Sequence, residues 1–143
     1  LAESLSQVLD DAEFEADQQG KKITIDIDEA IELSHYPKSL SRAIENLLRN
    51  AIRYAQSDIH LRASQASGQV QITIKDDGPG IDPAELEAIF KPFYRPDSAR
   101  QRESGGWGLG LAITEAAISA HKGKIRAENR QPHGLEVNIS LPT

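Results

Sequence analysis

The apolar residues Leu5, Val8, Leu9, Ala12 and Ala16 recur at intervals of three and four between Ser4 and Gln19, which puts them on one stripe of a helix that Gly20 closes. The period then changes. "KITIDI" alternates Ile23, Ile25 and Ile27 with polar neighbours, as a half-buried strand does, and a second short strand around Ala30 to Ser34 is expected to pair with it. Pro37 and Ser39 open a long helix whose apolar face, Leu40, Ala43, Ile44, Leu47, Leu48, Ala51 and Ile52, runs to about Ala55. "DIHLRAS" and "QVQITIKD" alternate on either side of Gly68 and predict an antiparallel hairpin with its loop near Ala66 to Gln69.

"DGPG" ends that strand, and Asp82, Pro83 and Glu85 form the start signal of a short helix to Phe90. Lys91 to Trp107 has no period and contains Pro92 and Pro96, so it reads as a long loop of the kind that is usually functional or disordered. A last helix over Leu109 to His121 and two strands, Lys124 to Glu128 and Leu135 to Leu141, complete the chain. Hairpin-like strand pairs favour a mixed or antiparallel sheet, and three sizeable helices need one face to pack on. The expected class is therefore α+β, a two-layer α/β sandwich with a mixed sheet packed on three helices.

Composition narrows the function. At 143 residues, with 38% hydrophobic and 27% charged positions, the chain suits one globular domain spanning residues 1–143, and no apolar run approaches the roughly eighteen residues of a membrane span. It contains no methionine and no signal-like segment, so it is expected to be part of something longer. The absence of cysteine excludes disulfides, thiolate metal sites and cysteine nucleophiles. A net charge of −6 argues against nucleic acid or anionic lipid as the main partner. Positive charge nevertheless gathers at Lys91, Arg95, Arg100 and Arg102, opposed by Asp97 and Glu103, a pattern that fits either a local anion site or a solvated loop.

A glycine-rich stretch, "SGGWGLGLAI", comes after that loop and leads into the last helix, the usual setting for backbone amides around a phosphate. It matches neither common signature. After Gly106 and Gly108 the third glycine, Gly110, comes one residue too early for a dinucleotide fingerprint; Gly105 and Gly110 have Walker spacing, but Leu111 stands where the lysine belongs.

Taken in order, "NLLRNAIRYA", "DDGPGI", "IFKPFYR" and "GGWGLGLAI" resemble the nucleotide-binding domain of sensor histidine kinases, within the wider ATPase family of gyrase, Hsp90 and MutL. The resemblance covers nearly the whole chain and implies that fold, ATP and Mg2+ as cofactors, and transfer of the γ-phosphoryl group to a histidine. It implies Asn50 as the Mg2+ ligand, for which a neutral amide oxygen is suitable. It puts Asn46, Arg53 and Tyr54 on the same helical face, with Arg53 toward phosphate and Tyr54 near adenine. Asp76 would accept a hydrogen bond from the exocyclic amine of adenine, as an acceptor-only carboxylate can. Gly78 and Gly80 would keep the backbone close to the base, and Ile81 would form an apolar wall.

Tyr94 and Arg95 belong to the motif resembling the phenylalanine box, and Gly106, Gly108, Leu109, Gly110 and Leu111 to the second glycine box. Lys91 to Arg102 then becomes a lid. Trp107 departs from the family, which carries threonine or another small residue there. Asp77 is expected to be a surface residue.

Asn46 discriminates between branches. The gyrase and Hsp90 branches have a glutamate at the matching position to activate water; an amide cannot take that proton, so hydrolysis should be slow and another nucleophile must be supplied. Glu45 points roughly 100° away around the helix and could at most orient something else in catalysis. His35, His60, His121 and His133 lack the H-E-x-x context of a phosphoacceptor, so the accepting histidine is expected upstream, on a dimerisation hairpin that makes the full protein a homodimer.

The resemblance further implies a response regulator as the onward partner, no nucleic acid bound by this domain, and a cytoplasmic location in an inner-membrane kinase that meets the membrane only through other segments. Two alternatives remain open at this point: a self-sufficient ATPase of the gyrase or Hsp90 type, and a nucleotide-sensing or anti-sigma-like partner module.

Overall fold

In the computed structural model, residues 1–86, 88–90 and 108–143 are described, the side chains of 108–110 excepted. Helix α1 (Ala2–Gln18) buries Leu5, Leu9, Ala12 and Ala16, and α2 (Pro37–Tyr54) buries Leu40, Ala43, Ile44, Leu47, Leu48, Ala51 and Ile52. These are the stripes that the period of three and four marks out. Helix α3 (Gly108–Ala120) sets Leu111, Thr114 and Ile118 into the core. All three helices lie against one sheet of five strands, β1 (Lys22–Ile27), β2 (Asp58–Ala66), β3 (Gln69–Asp76), β4 (Lys124–Asn129) and β5 (Leu135–Pro142), in the order β1-β2-β3-β5-β4. The α+β two-layer sandwich stands as expected.

The sheet is mixed because β1 runs parallel to β2, Lys22 opposite Asp58 and Ile27 opposite Ala63, with α2 as the crossover between them. The other pairings are antiparallel. In the central strands alternate residues are buried: Ile59, Leu61 and Ala63 on β2, Val70, Ile72 and Ile74 on β3, Val137, Ile139 and Leu141 on β5. Ser67 and Gly68, at φ 53° and 77°, form the two-residue turn between β2 and β3, both in the left-handed region that such hairpin turns require.

Two expectations need correction. No strand forms around residues 30–34. The Asp28 carboxylate accepts from Ala30 N–H at 2.9 Å and turns the chain, after which the Gln65 side chain bridges both backbone groups of Glu32, so β1 takes its partner from β2 instead. The expected short helix to Phe90 is two separate 3-10 turns, Pro83–Glu85 and Ala88–Phe90. Asp82 does cap the first, accepting from Ala84 N–H at 3.0 Å, but a three-residue turn cannot propagate into an α-helix without overcoming the cost of its own nucleation.

The last turns of α2 carry Asn50, Arg53 and Tyr54, and the carbonyls at that end are gathered by Lys21, whose Nζ donates to Ile52 O at 2.6 Å and reaches Arg53 O at 3.5 Å. A cation at a helix C-terminus opposes the helix dipole and satisfies acceptors that have no intrahelical donor. The N-terminal end is tied to α3: Tyr36 N–H donates to His121 Nε2 at 3.0 Å, while His121 Nδ1–H donates to Ala117 O at 2.7 Å. His121 is thereby a structural bridge, in keeping with its place at a helix end.

Candidate functional site

Strand β3 buries Val70, Ile72 and Ile74, and the same alternation carries on to Asp76, which is only 6% exposed. The fourth inward residue of a core strand is thus a carboxylate. Burial pushes its pKa up from the ordinary value; the N–H groups of Gly78 and Leu135 pull it back, the neighbouring Asp77 charge raises it, and Arg130 lowers it, with the net direction upward. Gly78 N–H donates to Oδ1 at 2.8 Å, so the chain folds back over the carboxylate immediately after it.

Gly78 is buried, and a Cβ there would collide with the backbone carbonyl of Tyr54. Any other residue would lift the loop off the end of α2. Gly80 has φ +79° and faces Asn129, whose Oδ1 would lie 2.6 Å from an added Cβ. Both glycines are therefore required by the close approach of protein atoms, the Tyr54 carbonyl at Gly78 and the Asn129 side chain at Gly80. Ile81 packs partly buried against the core.

On α2, Asn46, Asn50 and Tyr54 are half-buried along one face, with Arg53 exposed beside them and its guanidinium 5.9 Å from the Tyr54 ring centre. Asn50 Nδ2 is buried with no hydrogen-bond partner among the described residues. A buried amide end without a partner costs stability, and such a group calls for an explanation by ligand, ion or water. The two ends of a carboxamide are nearly the same size, so a half-turn of the amide brings Oδ1 to the place of Nδ2. Among the described residues no three His, Asp or Glu side chains converge as a metal cage. Asn50 could offer a cation one neutral amide oxygen, a hard donor that suits Mg2+, an ion that takes most of its other ligands from water and phosphate.

Glu45 lies elsewhere. Its carboxylate meets Arg49 at 3.4 Å, and it lines the groove between α1 and α2 with Val8, Phe14 and Leu48. The approach of Gly78 to the Tyr54 carbonyl brings Asp76 and the loop after it to the C-terminal end of the α2 face that carries Asn46, Asn50 and Tyr54, while Glu45 lies toward α1. Gly108, Leu109 and Gly110 open α3, and Leu111 is buried in its first turns. Tyr94, Arg95, Gly106 and Trp107, with the expected lid at 91–102, lie outside the described residues.

Asp77 has more to do than a surface residue. Its carboxylate accepts from the backbone N–H groups of Gln56, Ser57 and Asp58 and from the Ser57 hydroxyl, at 2.8 to 3.2 Å, and so pins the turn after α2 to the end of β3. Partial burial alone would raise its pKa; the hydrogen bonds from Ser57, Asp58 and Gln56 outweigh it and hold the group down to about 2. A depressed carboxylate contributes stability that is present above its unfolded value of 3.8 and is lost as pH falls through about 2. Asp77→Asn is expected to lower unfolding stability at pH 7 by about 1–2 kcal/mol, less than the full linkage equivalent of that shift because solvent screens this partly exposed group. Urea melts between pH 7 and 2 should show wild type converging on the variant below pH 4; parallel curves would mean the carboxylate charge is not what holds the turn.

The turn between β4 and β5 backs the same loop, an arrangement that no local pattern in the chain announces. Asn129 bonds both backbone groups of Ile81, Arg130 Nη1 donates to Asp76 O at 2.8 Å, and the His133 ring nitrogen Nδ1 sits 3.3 Å from Gly78 O. Gly134, at φ +117°, presses against Asp76 O so closely that no Cβ would fit.

Residues 35–143 match the family described as histidine kinase-, DNA gyrase B- and HSP90-like ATPases. The chain is 47% identical to the sensor histidine kinase CpxA of Escherichia coli strain K12 over 138 residues, 96% of this chain and 30% of that protein. Among solved structures, a mycobacterial sensor histidine kinase, MprB, superposes with a TM-score of 0.85 at 28% identity, covering 99% of this chain and 94% of that one. Full-length ShkA in complex with AMPPNP superposes with a TM-score of 0.82 at 25% identity, covering 97% of this chain and 29% of that one.

Proposed function

Given that the chain belongs to the family of histidine kinase-, DNA gyrase B- and HSP90-like ATPases, we propose that it binds Mg2+-ATP at the junction of α2, the 76–81 loop and α3 and donates the γ-phosphoryl group to a histidine on a separate dimerisation domain. It spans less than a third of the CpxA sequence it matches, so the rest of such a kinase lies beyond it. The accepting histidine would sit on the chain's own upstream hairpin, in a homodimer, and pass the group on to a response regulator. The setting would be the cytoplasmic side of an inner-membrane envelope-stress sensor. No helix among the described residues is long and apolar enough to cross a membrane.

The observation that carries this reading is a pair of buried polar groups on adjoining elements that the core itself does not need, the Asp76 carboxylate and the Asn50 amide. Asp76 presents acceptors only and suits the exocyclic amine of adenine, with Ile81 as an apolar wall for the base. Asn50 is the residue to hold Mg2+, whose charge would offset that developing on the phosphate oxygens. Arg53, exposed at the same helix end, would add positive charge for the phosphate chain, and the free amides at the N-terminus of α3, a helix packed on α2, would supply partial positive charge for an anion.

In the transfer the bond between the γ-phosphorus and its bridging oxygen breaks, a bond from the accepting imidazole nitrogen forms, and ADP leaves. Asn46 cannot serve as base for a water. Glu45, facing α1 and paired with Arg49, has at most an orienting role toward the docked partner.

Three measurements on one preparation test this function. Saturable Mg2+-dependent ATP binding, phosphate release below about one turnover per minute, and labelled phosphohistidine formed only when the phosphoacceptor hairpin is added are expected. Steady release at the rates of an autonomous ATPase would favour the gyrase-type alternative, and phosphohistidine on the 143-residue chain alone would overturn the assignment.

A further inference from the structure

We propose that Asn129, outside the nucleotide motifs, is the positioning residue that sets the adenine-facing loop. The proposal rests on the reading of residues 76–81 as the adenine site. Among the described residues, no backbone-to-backbone hydrogen bond outside the strands holds residues 77–81, so their geometry depends on side chains reaching in from elsewhere. Asn129, the last residue of β4, makes two such bonds to one residue: its Oδ1 accepts from Ile81 N–H at 2.9 Å and its Nδ2 donates to Ile81 O at 2.6 Å.

A primary carboxamide carries a donor and an acceptor side by side, as a peptide unit does, so Asn129 pairs with Ile81 as a neighbouring strand would. Aspartate would offer acceptors only, and its second oxygen would face Ile81 O. Leucine, of similar size, would offer nothing. The loop is shaped around this side chain: Gly80 has φ +79° and leaves room for Asn129 Oδ1, which an added Cβ would approach to 2.6 Å. Fixing the Ile81 backbone on both sides fixes the direction of the Ile81 side chain. It also sets the span back to Asp76, whose own carbonyl is held by Arg130 from the same turn. An apolar wall and a hydrogen-bond acceptor recognise adenine only at the right separation, so the clasp acts on base selection rather than on phosphate binding.

Wild type, Asn129→Leu and Asn129→Asp would be titrated with ATP, GTP and inorganic tripolyphosphate, each with Mg2+, after thermal melts establish the folded fraction. Asn129→Leu is expected to weaken ATP about tenfold, as loss of two hydrogen bonds implies, and to reduce the ATP-to-GTP preference by a similar factor. Tripolyphosphate affinity should stay within about twofold, and Asn129→Asp, which keeps the bond from Ile81 N–H, should fall between. An unchanged purine preference in both variants, or a loss shared equally by ATP and tripolyphosphate, overturns the proposal. A wild-type chain that binds ATP and GTP alike would instead sink the adenine reading of the loop, and this proposal with it.

Discussion

Asn50→Ala is expected to abolish the Mg2+ dependence of ATP binding, lowering affinity for Mg2+-ATP by roughly a hundredfold, about 3 kcal/mol, while leaving the fold at least as stable as wild type. The two halves of the expectation have one cause. Asn50 Nδ2 is buried without a partner among the described residues, so no hydrogen bond among those residues is lost with the side chain. Removing an unsatisfied buried donor recovers about 1–3 kcal/mol, which offsets the packing lost with the side chain. Calorimetric titrations with Mg2+ and with a chelator separate the terms. Wild type should bind ATP much more tightly with the metal, and the variant should bind it with the weaker affinity in both conditions. A variant that keeps its response to Mg2+ would show that another group holds the cation, and a large fall in melting temperature would show that the amide serves the core instead.

Much of this site is legible in the sequence because it sits where regular patterns stop. Alternation along β3 leads through Val70, Ile72 and Ile74 to Asp76, and the stripe of α2 leaves Asn46, Asn50 and Tyr54 just off its apolar face. A carboxylate in an apolar register and amides beside a core stripe are visible without a structure. The helices and the β2–β3 hairpin are legible for the same reason, since one buried face imposes its period on the sequence. What stays hidden is non-local. β1 pairs with β2 across the whole of α2, so nothing beside "KITIDI" announces its partner, and the neighbouring stretch reads as a strand it does not form.

The supports of the site are further out still. Asn129 reaches Ile81 across 48 residues, and Asp77 binds a turn 19 to 21 residues earlier. The Asn129 bonds depend on how the sheet order brings β5 between β3 and β4, which places the β4–β5 turn over the end of β3, whereas Asp77 meets the start of β2 through the hairpin register that sets Ile59 opposite Asp76. Local sequence does not encode that order. Positions that contact a ligand share motifs, whereas positions that hold those contacts in place are polar residues in ordinary turns.

Asp76→Asn should likewise separate binding from stability. The sign comes from the direction of its pKa. A carboxyl whose folded pKa is raised contributes stability that is fully present below the unfolded value of 3.8 and is lost as pH rises through the folded value, so ionisation of the buried group works against the fold. An amide keeps the acceptor for Gly78 N–H and removes the buried charge, but it presents a donor where the carboxylate presented a second acceptor. Two donors, from the amide and from the amine of adenine, then face each other. ATP affinity is expected to fall by about one to two orders of magnitude, since a hydrogen bond to a charged group contributes roughly 1.5–3 kcal/mol. The preference over GTP, whose base carries an acceptor at that position, should narrow. Denaturant melts from pH 4 to 8 should show wild type losing stability relative to the variant as pH rises. A variant less stable at pH 8 than at pH 4 relative to wild type would mean that the bonds from Gly78 and Leu135 outweigh burial, and an unaltered ATP affinity would remove Asp76 from the site.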